Sequence, residues 1–319
     1  MQEKKDLLGH DVRYFEEYAQ RAKELGDGSE AAVGLFHAAR LDKYLRSQRQ
    51  HYSGYLFASH YIAWEEMEKY REEQARDLAE SHFAYGHLYE DEELLPPPPV
   101  YRHEKIRVGY LAPRFTESSV MRFAEPLLLG LDRSRFEVYA FAMEEAEDAF
   151  TAVLKEKLAE QGEGHYGCLY GLSLQEGAWA VREREIDILF DLGGHSEGGM
   201  TLMILAKRPA PVQLTGIGYF NTLGLPPGRV EGLLADSSLF YPGEESRFTE
   251  PIWLLPQAFA FRPTESMRSF REKLSGFRRQ GPVTFGVLQN AMKVNNVALR
   301  VWGRILKALP EARLLIQDV

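Results

Sequence analysis

The sequence predicts an α/β protein in which a helical N-terminal region precedes a doubly wound parallel sheet, and three observations predict it. Short apolar runs, "KIRVGYLAP", "RFEVYAFAM" and "IDILFDLGG", alternate with stretches of helical periodicity. Strands alternating with helices of about ten residues imply βαβ units and a parallel sheet covered on both faces. Ahead of them, "DEELLPPPPV" (residues 91–100) marks a boundary, because four consecutive prolines cannot continue a helix and favour a stiff extended chain.

Before that boundary the pattern is helical and aromatic: "YFEEYAQRAKEL", then "SEAAVGLFHAARLDKYLRSQ", then "YLFASHYIAWEEMEKYREEQARDLAESH". Apolar residues recur three and four apart with charges between them, and Tyr55, Ser59, Ile62 and Met67 fall near one face. No 34-residue self-similarity is evident, so the stretch reads as a repeat-like helical cap. After the prolines come a strand at 105–113 and a helix around "VMRFAEPLLLGLD" whose first turn or kink is marked by Pro126. A strand, "RFEVYAFAM", a helix, "AFTAVLKEKLAEQ", and a short strand in "GHYGCLYGL" follow. Then come a helix, "LQEGAWAVRERE", the strand "IDILFDLGG", a helix stopped by Pro209, the strand "VQLTGIGY" and short apolar runs in "VEGLLAD" and "EPIWLLP". A basic polar stretch, "TESMRSFREKLSGFRRQGP", leads to one last strand–helix–strand unit from Pro282. That unit cannot bury both faces of its strands, so it either opens a second α/β domain or joins the first sheet. The expected division is 1–95 helical region, 96–104 proline-rich linker, 105–262 first α/β domain, 263–281 linker, and 282–319 the incomplete start of a second.

Composition limits the function. At 319 residues and 45% hydrophobic the chain can form two cores, and its single cysteine, Cys168, rules out an internal disulfide framework or a cysteine-cluster metal site. A net charge of −9 argues against general nucleic-acid affinity. No run of about 18 apolar residues suggests a membrane span, and the first residues lack the apolar core of a secretory signal, so the expected compartment is the cytoplasm. No His/Asp/Glu clustering suggests a metal, and "GGHSEGG" is not a G-x-S-x-G elbow.

Three stretches carry residues fit for chemistry. In "FDLGGHSEGGMT" (190–201) a strand ends in glycines, then His195, then more glycines opening a helix. Backbone can approach a ligand there, helix N–H groups can face an anion, and His195 can act as base or orient a hydroxyl; a flexible turn with a surface histidine is the plainer alternative. In "KRPAPVQLTGIGYFNTLG" (207–224) Pro209 ends a helix, Pro211 sets the approach to a strand, and the strand leads to Asn221 and Thr222, which serve either a ligand or a β-turn. In "VLQNAMKVNN" (287–296) Gln289, Asn290 and Lys293 precede a helix, where a lysine can offset the charge of a diphosphate; a solvated lysine and an asparagine N-cap are the plainer alternative.

Taken in order, "KIRVGYLAPRF", "DRSRFEVYAFAM", "REIDILFDLGGHSEGG", "LAKRPAPVQLTGIGYFNTLG", "FTEPIWLLPQAF" and "VTFGVLQNAMKVNNVALRVWGRILKALPEARLLI" resemble the catalytic region of the O-GlcNAc transferase and SPINDLY family, glycosyltransferase family 41, in its bacterial form. "RPAPVQ" followed by "GY-x-x-T-x-G" is the most specific part. The resemblance implies two Rossmann-like domains facing across a cleft (the GT-B type), preceded by helical repeats, with the second domain only begun here. It implies UDP-N-acetylglucosamine as donor, Ser or Thr of a protein as acceptor, inversion at the sugar carbon, and no metal or other cofactor. It places His195 in the catalytic role, Gly194, Tyr219, Asn221, Thr222 and Gly224 on the substrate side, and Gln289, Asn290 and Lys293 on the nucleotide diphosphate. Two positions depart from the family pattern. Arg114 stands where an acid is usual, and Ser118 stands near the place of a histidine that faces the active site. With most of the second domain absent, the 319 residues are expected not to turn over by themselves. The alternative to an enzyme is a non-catalytic relative whose helical part and first domain bind a protein.

Overall fold

The structure, a computed structural model, describes residues 11–62, 67–259, 261, 263, 265–274 and 281–317. The chain divides into two compact units, one of Met1–Ala75 with Pro263–Val319 and one of Arg76–Arg262.

In order along the chain, the helical region holds α1 (Val12–Glu24), α2 (Gly28–Leu41), α3 (Leu45–Ser59) and α4 (Met67–Gly86). Asp11 and Asp27 cap α1 and α2 by accepting from the Tyr14 and Glu30 amides, which satisfies donors that a helix start leaves open. Ala19 and Ala22 of α1, Ala31, Ala32 and Leu35 of α2 and Ala58 of α3 share one buried apolar cluster. The approach is close: a Cβ on Gly34 would lie 2.9 Å from Ala19 Cβ. "SEAAVGLFHAARLDKYLRSQ" runs over two helices, α2 and the start of α3. Asp42 turns extended at the end of α2, and its carboxylate accepts from the Tyr44 amide at 2.9 Å, a local bond that competes with continuing the helix. Of the expected face Tyr55–Ser59–Ile62–Met67, the side chain of Met67 lies outside the described residues, as do residues 63–66.

The second unit contains β1 (Ile106–Ala112), α5 (Ser119–Gly130), β2 (Phe136–Ala142), α6 (Ala149–Ala159), β3 (Tyr166–Cys168), α7 (Leu174–Arg182), β4 (Ile188–Asp191), α8 (Met200–Leu205), β5 (Val212–Thr215), β6 (Gly232–Ala235) and β7 (Ile252–Leu254). The strands form one seven-stranded sheet in the order β3-β2-β1-β4-β5-β6-β7, with every described neighbouring pair parallel. Val108, Tyr110 and Ala112 of β1, together with Val138, Ala140 and Ala142 of β2, pack on Met121, Ala124 and Leu128 of α5 and on Leu154 and Leu158 of α6. The order reverses between β1 and β4, which defines the topological switch point where doubly wound sheets take ligands. Pro126 does not open its helix. Ser118 caps α5 and Pro126 sits eight residues on, inside a helix that runs through to Gly130.

The chain resumes as α9 (Glu265–Leu274), β8 (Thr284–Leu288), α10 (Asn296–Ala308) and β9 (Arg313–Gln317). Strands β8 and β9 pair in parallel as a separate two-stranded sheet, in register from Thr284↔Arg313 to Leu288↔Gln317, so this unit does not extend the seven-stranded one. Part of the expected 263–281 linker, residues 275–280, lies outside the described residues. Among the described residues no helix is long and apolar enough to cross a membrane.

Candidate functional site

The switch point places two loops side by side, one after β1 and one after β4. Arg114, on the first, reaches Glu197 on the second at 2.6 Å and Glu144 at 3.1 Å, so its charge is taken up by two carboxylates. The rest of the first loop is held by its own chain. The Pro113 carbonyl accepts from the Met143 and Glu144 amides, Thr151 Oγ1 donates to the Phe115 carbonyl at 2.6 Å, and the Asp148 carboxylate takes the Glu117 amide. Ser118 Oγ accepts from the Met121 amide at 3.3 Å as the N-cap of α5, so that oxygen serves the helix.

The loop after β4 is more tightly folded than its glycines suggest. Asp191, fully buried at the strand end, accepts from the Gly193 amide at 3.0 Å, the Gly194 amide at 2.9 Å and the Thr215 hydroxyl at 3.0 Å. Burial pushes its carboxyl above the ordinary range, and these hydrogen bonds work in the opposite direction. Glu197, Gly198 and Gly199 all take positive φ before α8 begins at Met200. The second glycine pair leads into the helix as the sequence suggests, with Gly199 at the N-cap of α8, which has only six residues. The close approach that glycine permits is used by the protein itself. A Cβ on Gly194 would lie 2.3 Å from Tyr219 Cβ, and one on Gly193 would lie 2.7 Å from Thr201 Oγ1.

His195 has no exposed surface, which replaces the surface-histidine alternative with a different picture. Its Nε2 lies 3.0 Å from the Leu223 carbonyl, which can only accept, so Nε2 carries the proton. The ring is enclosed by Tyr85 (4.8 Å between centroids), Tyr219 (5.0 Å) and His82 (5.2 Å). As placed, His195 ties the β4 loop to the β5 loop and offers no open nitrogen at that bond to a solvent-borne proton.

The β5 loop has the same character. Thr222 is buried, donates to Glu250 at 2.8 Å and accepts from the Thr249 and Gly224 amides at 3.0 and 3.2 Å. Asn221 is half-buried, and its side-chain oxygen accepts from the Thr222 amide at 2.8 Å. Tyr219 is buried and its hydroxyl meets His82 Nε2 at 2.6 Å, with burial pushing the phenol well above its usual value. Gly224 takes φ +66, and a Cβ there would fall 2.0 Å from the His82 carbonyl. Glu250 joins the loop from the chain before β7, accepting from the Leu223 amide at 2.8 Å, and burial pushes its carboxyl up. The residues predicted from this stretch and from the β4 loop do meet one another at the carboxyl ends of β4 and β5.

Behind them, "KRPAPVQ" is a scaffold. The three Arg182 nitrogens donate to the carbonyls of Pro209 (2.6 Å), Pro96 (2.7 Å) and Arg208 (2.8 Å). Lys207 pairs with Glu92 at 2.5 Å and its carbonyl accepts from the Leu95 amide. Arg229 donates to the Ala206 carbonyl at 2.7 Å and the Glu92 carbonyl at 3.3 Å. Proline removes donors but leaves carbonyls, and buried carbonyls need partners. The arginines supply them, and the polyproline stretch docks on the sheet unit as part of the same knot.

The third predicted stretch belongs to the other unit. Lys293 and Asn290 are exposed and Gln289 is half-exposed. The Asn290 side chain accepts from the Met292 amide at 3.0 Å and caps the short turn Ala291–Lys293, whereas Asn295 caps α10. Pattern reading missed His82, Asp191, Arg182 and Glu250. Asp191 directly before two glycines was a usable signal; a single histidine in a helix offered none.

No family model matches the chain. Among curated proteins it is 35% identical over 212 residues to the probable UDP-N-acetylglucosamine–peptide N-acetylglucosaminyltransferase SPINDLY of Arabidopsis thaliana, covering 66% of this chain and 23% of that protein. It is 34% identical over 210 residues to the SPINDLY protein of Hordeum vulgare, covering 66% of this chain and 22% of that one. Among solved structures, the K341M mutant of Thermobaculum terrenum O-GlcNAc transferase superposes with a TM-score of 0.77 at 27% identity, covering 96% of this chain and 55% of that one.

This chain belongs to the O-GlcNAc transferase and SPINDLY family.

The family's helical lead-in and Rossmann-like sheet account for the architecture seen here. The chain spans about a quarter of the length of the curated family members it matches. Arg114 pairs with Glu144 and Glu197, and the Ser118 oxygen caps α5.

Proposed function

We propose that this chain forms part of a protein O-glycosyltransferase that moves N-acetylglucosamine from UDP-N-acetylglucosamine to Ser or Thr hydroxyls of proteins, with inversion. The observation that carries the reading is the convergence, at the carboxyl ends of β4 and β5, of "GGHSEGG" and "YFNTLG" in a chain of this family. In the reaction the acceptor oxygen bonds to the anomeric carbon, the bond to the diphosphate breaks on the opposite face, and the hydroxyl proton is lost.

In this reading the loops contribute shape and fixed main-chain groups, because preorganised dipoles cost no rearrangement when charge develops. His195 acts by holding the Leu223 carbonyl and its own loop in place. Asn221 lines the acceptor or sugar side. Asn290 and Lys293 hold the diphosphate, where the ammonium offsets charge on the leaving group. The acceptor is a protein and the reaction needs no metal.

The test uses the full-length protein with radiolabelled UDP-N-acetylglucosamine and a serine-rich acceptor protein. The expected result is label on protein, released by mild alkali as befits a sugar on Ser or Thr, together with UDP binding by titration calorimetry. UDP binding without transfer supports a non-catalytic relative instead, and absence of both overturns the proposal.

A further inference from the structure

The segment Gly216–Gly218 contains a rare backbone arrangement. The Gly218 amide donates to the Gly216 carbonyl at 2.7 Å while Ile217 between them takes φ +65. A three-residue turn with a positive central φ is the strained form of the γ-turn, and a β-branched residue is the least suited to it. Such a conformation persists only where the surroundings over-determine it. The Ile217 side chain is buried in the core with Phe190, Leu192 and Leu214 and also borders a cavity of about 270 Å³ with Leu127, Leu234, Leu255 and Phe259. Packing therefore holds Ile217 on its core side and leaves the cavity side less constrained.

Two contacts on the C-terminal side of the turn supply the constraint. Gly218 lies under the Leu192 carbonyl, where a Cβ would come within 1.8 Å. Tyr219 lays its ring on Gly194 and ends on His82 Nε2 at 2.6 Å. His82 is fully buried, and its Nδ1 donates to the Leu78 carbonyl at 2.7 Å, which fixes the ring and leaves Nε2 as the acceptor for the Tyr219 hydroxyl.

We propose that His82, on the last turns of the helical lead-in, is a positioning residue: through Tyr219 it holds the strained turn at Ile217 and the glycine loop against which Tyr219 rests. Its kinetic consequence rests on the glycosyltransferase reading; its structural consequence does not.

The experiment compares Tyr219→Phe, His82→Gln and Ile217→Gly, singly and combined, in the full-length protein. Tyr219→Phe keeps the ring against Gly194 and removes only the hydroxyl. Hydrogen exchange at the Gly218 amide should rise about tenfold in Tyr219→Phe and in His82→Gln, as expected for losing one buried bond. Transfer should show kcat about tenfold lower with the KM for the donor changed less than about twofold. Placing Ile217→Gly in the Tyr219→Phe background should bring kcat within about threefold of the Ile217→Gly single variant, because glycine adopts the turn without strain. Wild-type exchange and kcat in both single variants would overturn the proposal, and so would a double variant with no recovery. A wild-type protein without transfer would sink the glycosyltransferase reading, and the exchange data alone would then decide the role of His82.

Discussion

The loop after β4 and the loop after β8 are written alike in sequence, each a strand followed by polar residues and a helix, yet they use those residues in opposite ways. After β4, Asp191, His195 and, from the adjacent loop, Thr222 are buried and bonded to main chain of the same unit. After β8, Asn290 and Lys293 are exposed, and the asparagine serves only its own turn. The first is a shaped support whose polar groups are consumed in making the shape. The second leaves its charge open. Residue type marked both as places for chemistry, and burial separated the residue that holds geometry from the residue that can meet a ligand.

The sharpest way to break the comparison is to disturb the support where it has no slack. Gly218→Ala should lower stability by at least about 3 kcal/mol, because a backbone carbonyl cannot yield to a methyl group inside contact distance. An unchanged urea midpoint would show that the two loops do not meet as described. Arg182→Leu comes next, at about 3 kcal/mol, since one buried and two partly buried carbonyls lose a charged donor together; chemical denaturation measures it.

Glu250→Gln sharpens the comparison through pH. Burial raises the folded-state pKa of Glu250, so between its ordinary value of about 4.3 and that raised value the folded protein binds more protons than the unfolded one. Wild-type stability should therefore gain on Glu250→Gln as pH falls from neutral toward about 4.3, and lose that gain as pH rises through the folded pKa. Denaturation midpoints of the two proteins that stay parallel across this window would contradict the burial of that carboxyl. The smallest effect on stability belongs to the open loop: Lys293→Ala should stay within about 0.5 kcal/mol of wild type while UDP affinity drops about tenfold or more, read by calorimetry.

Much of the scaffold was legible because its signals are local. Apolar runs marked every strand of the sheet, and Asp11, Asp27 and Ser173 stand where helix caps belong. Local signals misled where a short-range bond competed with periodicity, as at Asp42, and at Pro126, which lies inside its helix and not in the first turn. The site was half legible. Glycines and a histidine after a strand announced close approach, but pattern alone did not tell whether the approaching group is a ligand or Tyr219 of the same chain. The prolines announced a kink, and their unpaired carbonyls implied donors without naming Arg182, which lies 27 residues before Pro209.

By itself the sequence determined the class of sheet, the placing of its loops at the carboxyl ends of strands, and the charge and shape of the residues delivered there, because these follow from periodicity and backbone preference along a few neighbouring residues. Only the tertiary structure decided which polar groups remain open. Partners such as His82 for Tyr219, 137 residues apart, and Glu250 for Thr222 are chosen by packing, and a side chain's chemistry changes once burial removes water and a specific neighbour takes its hydrogen bond.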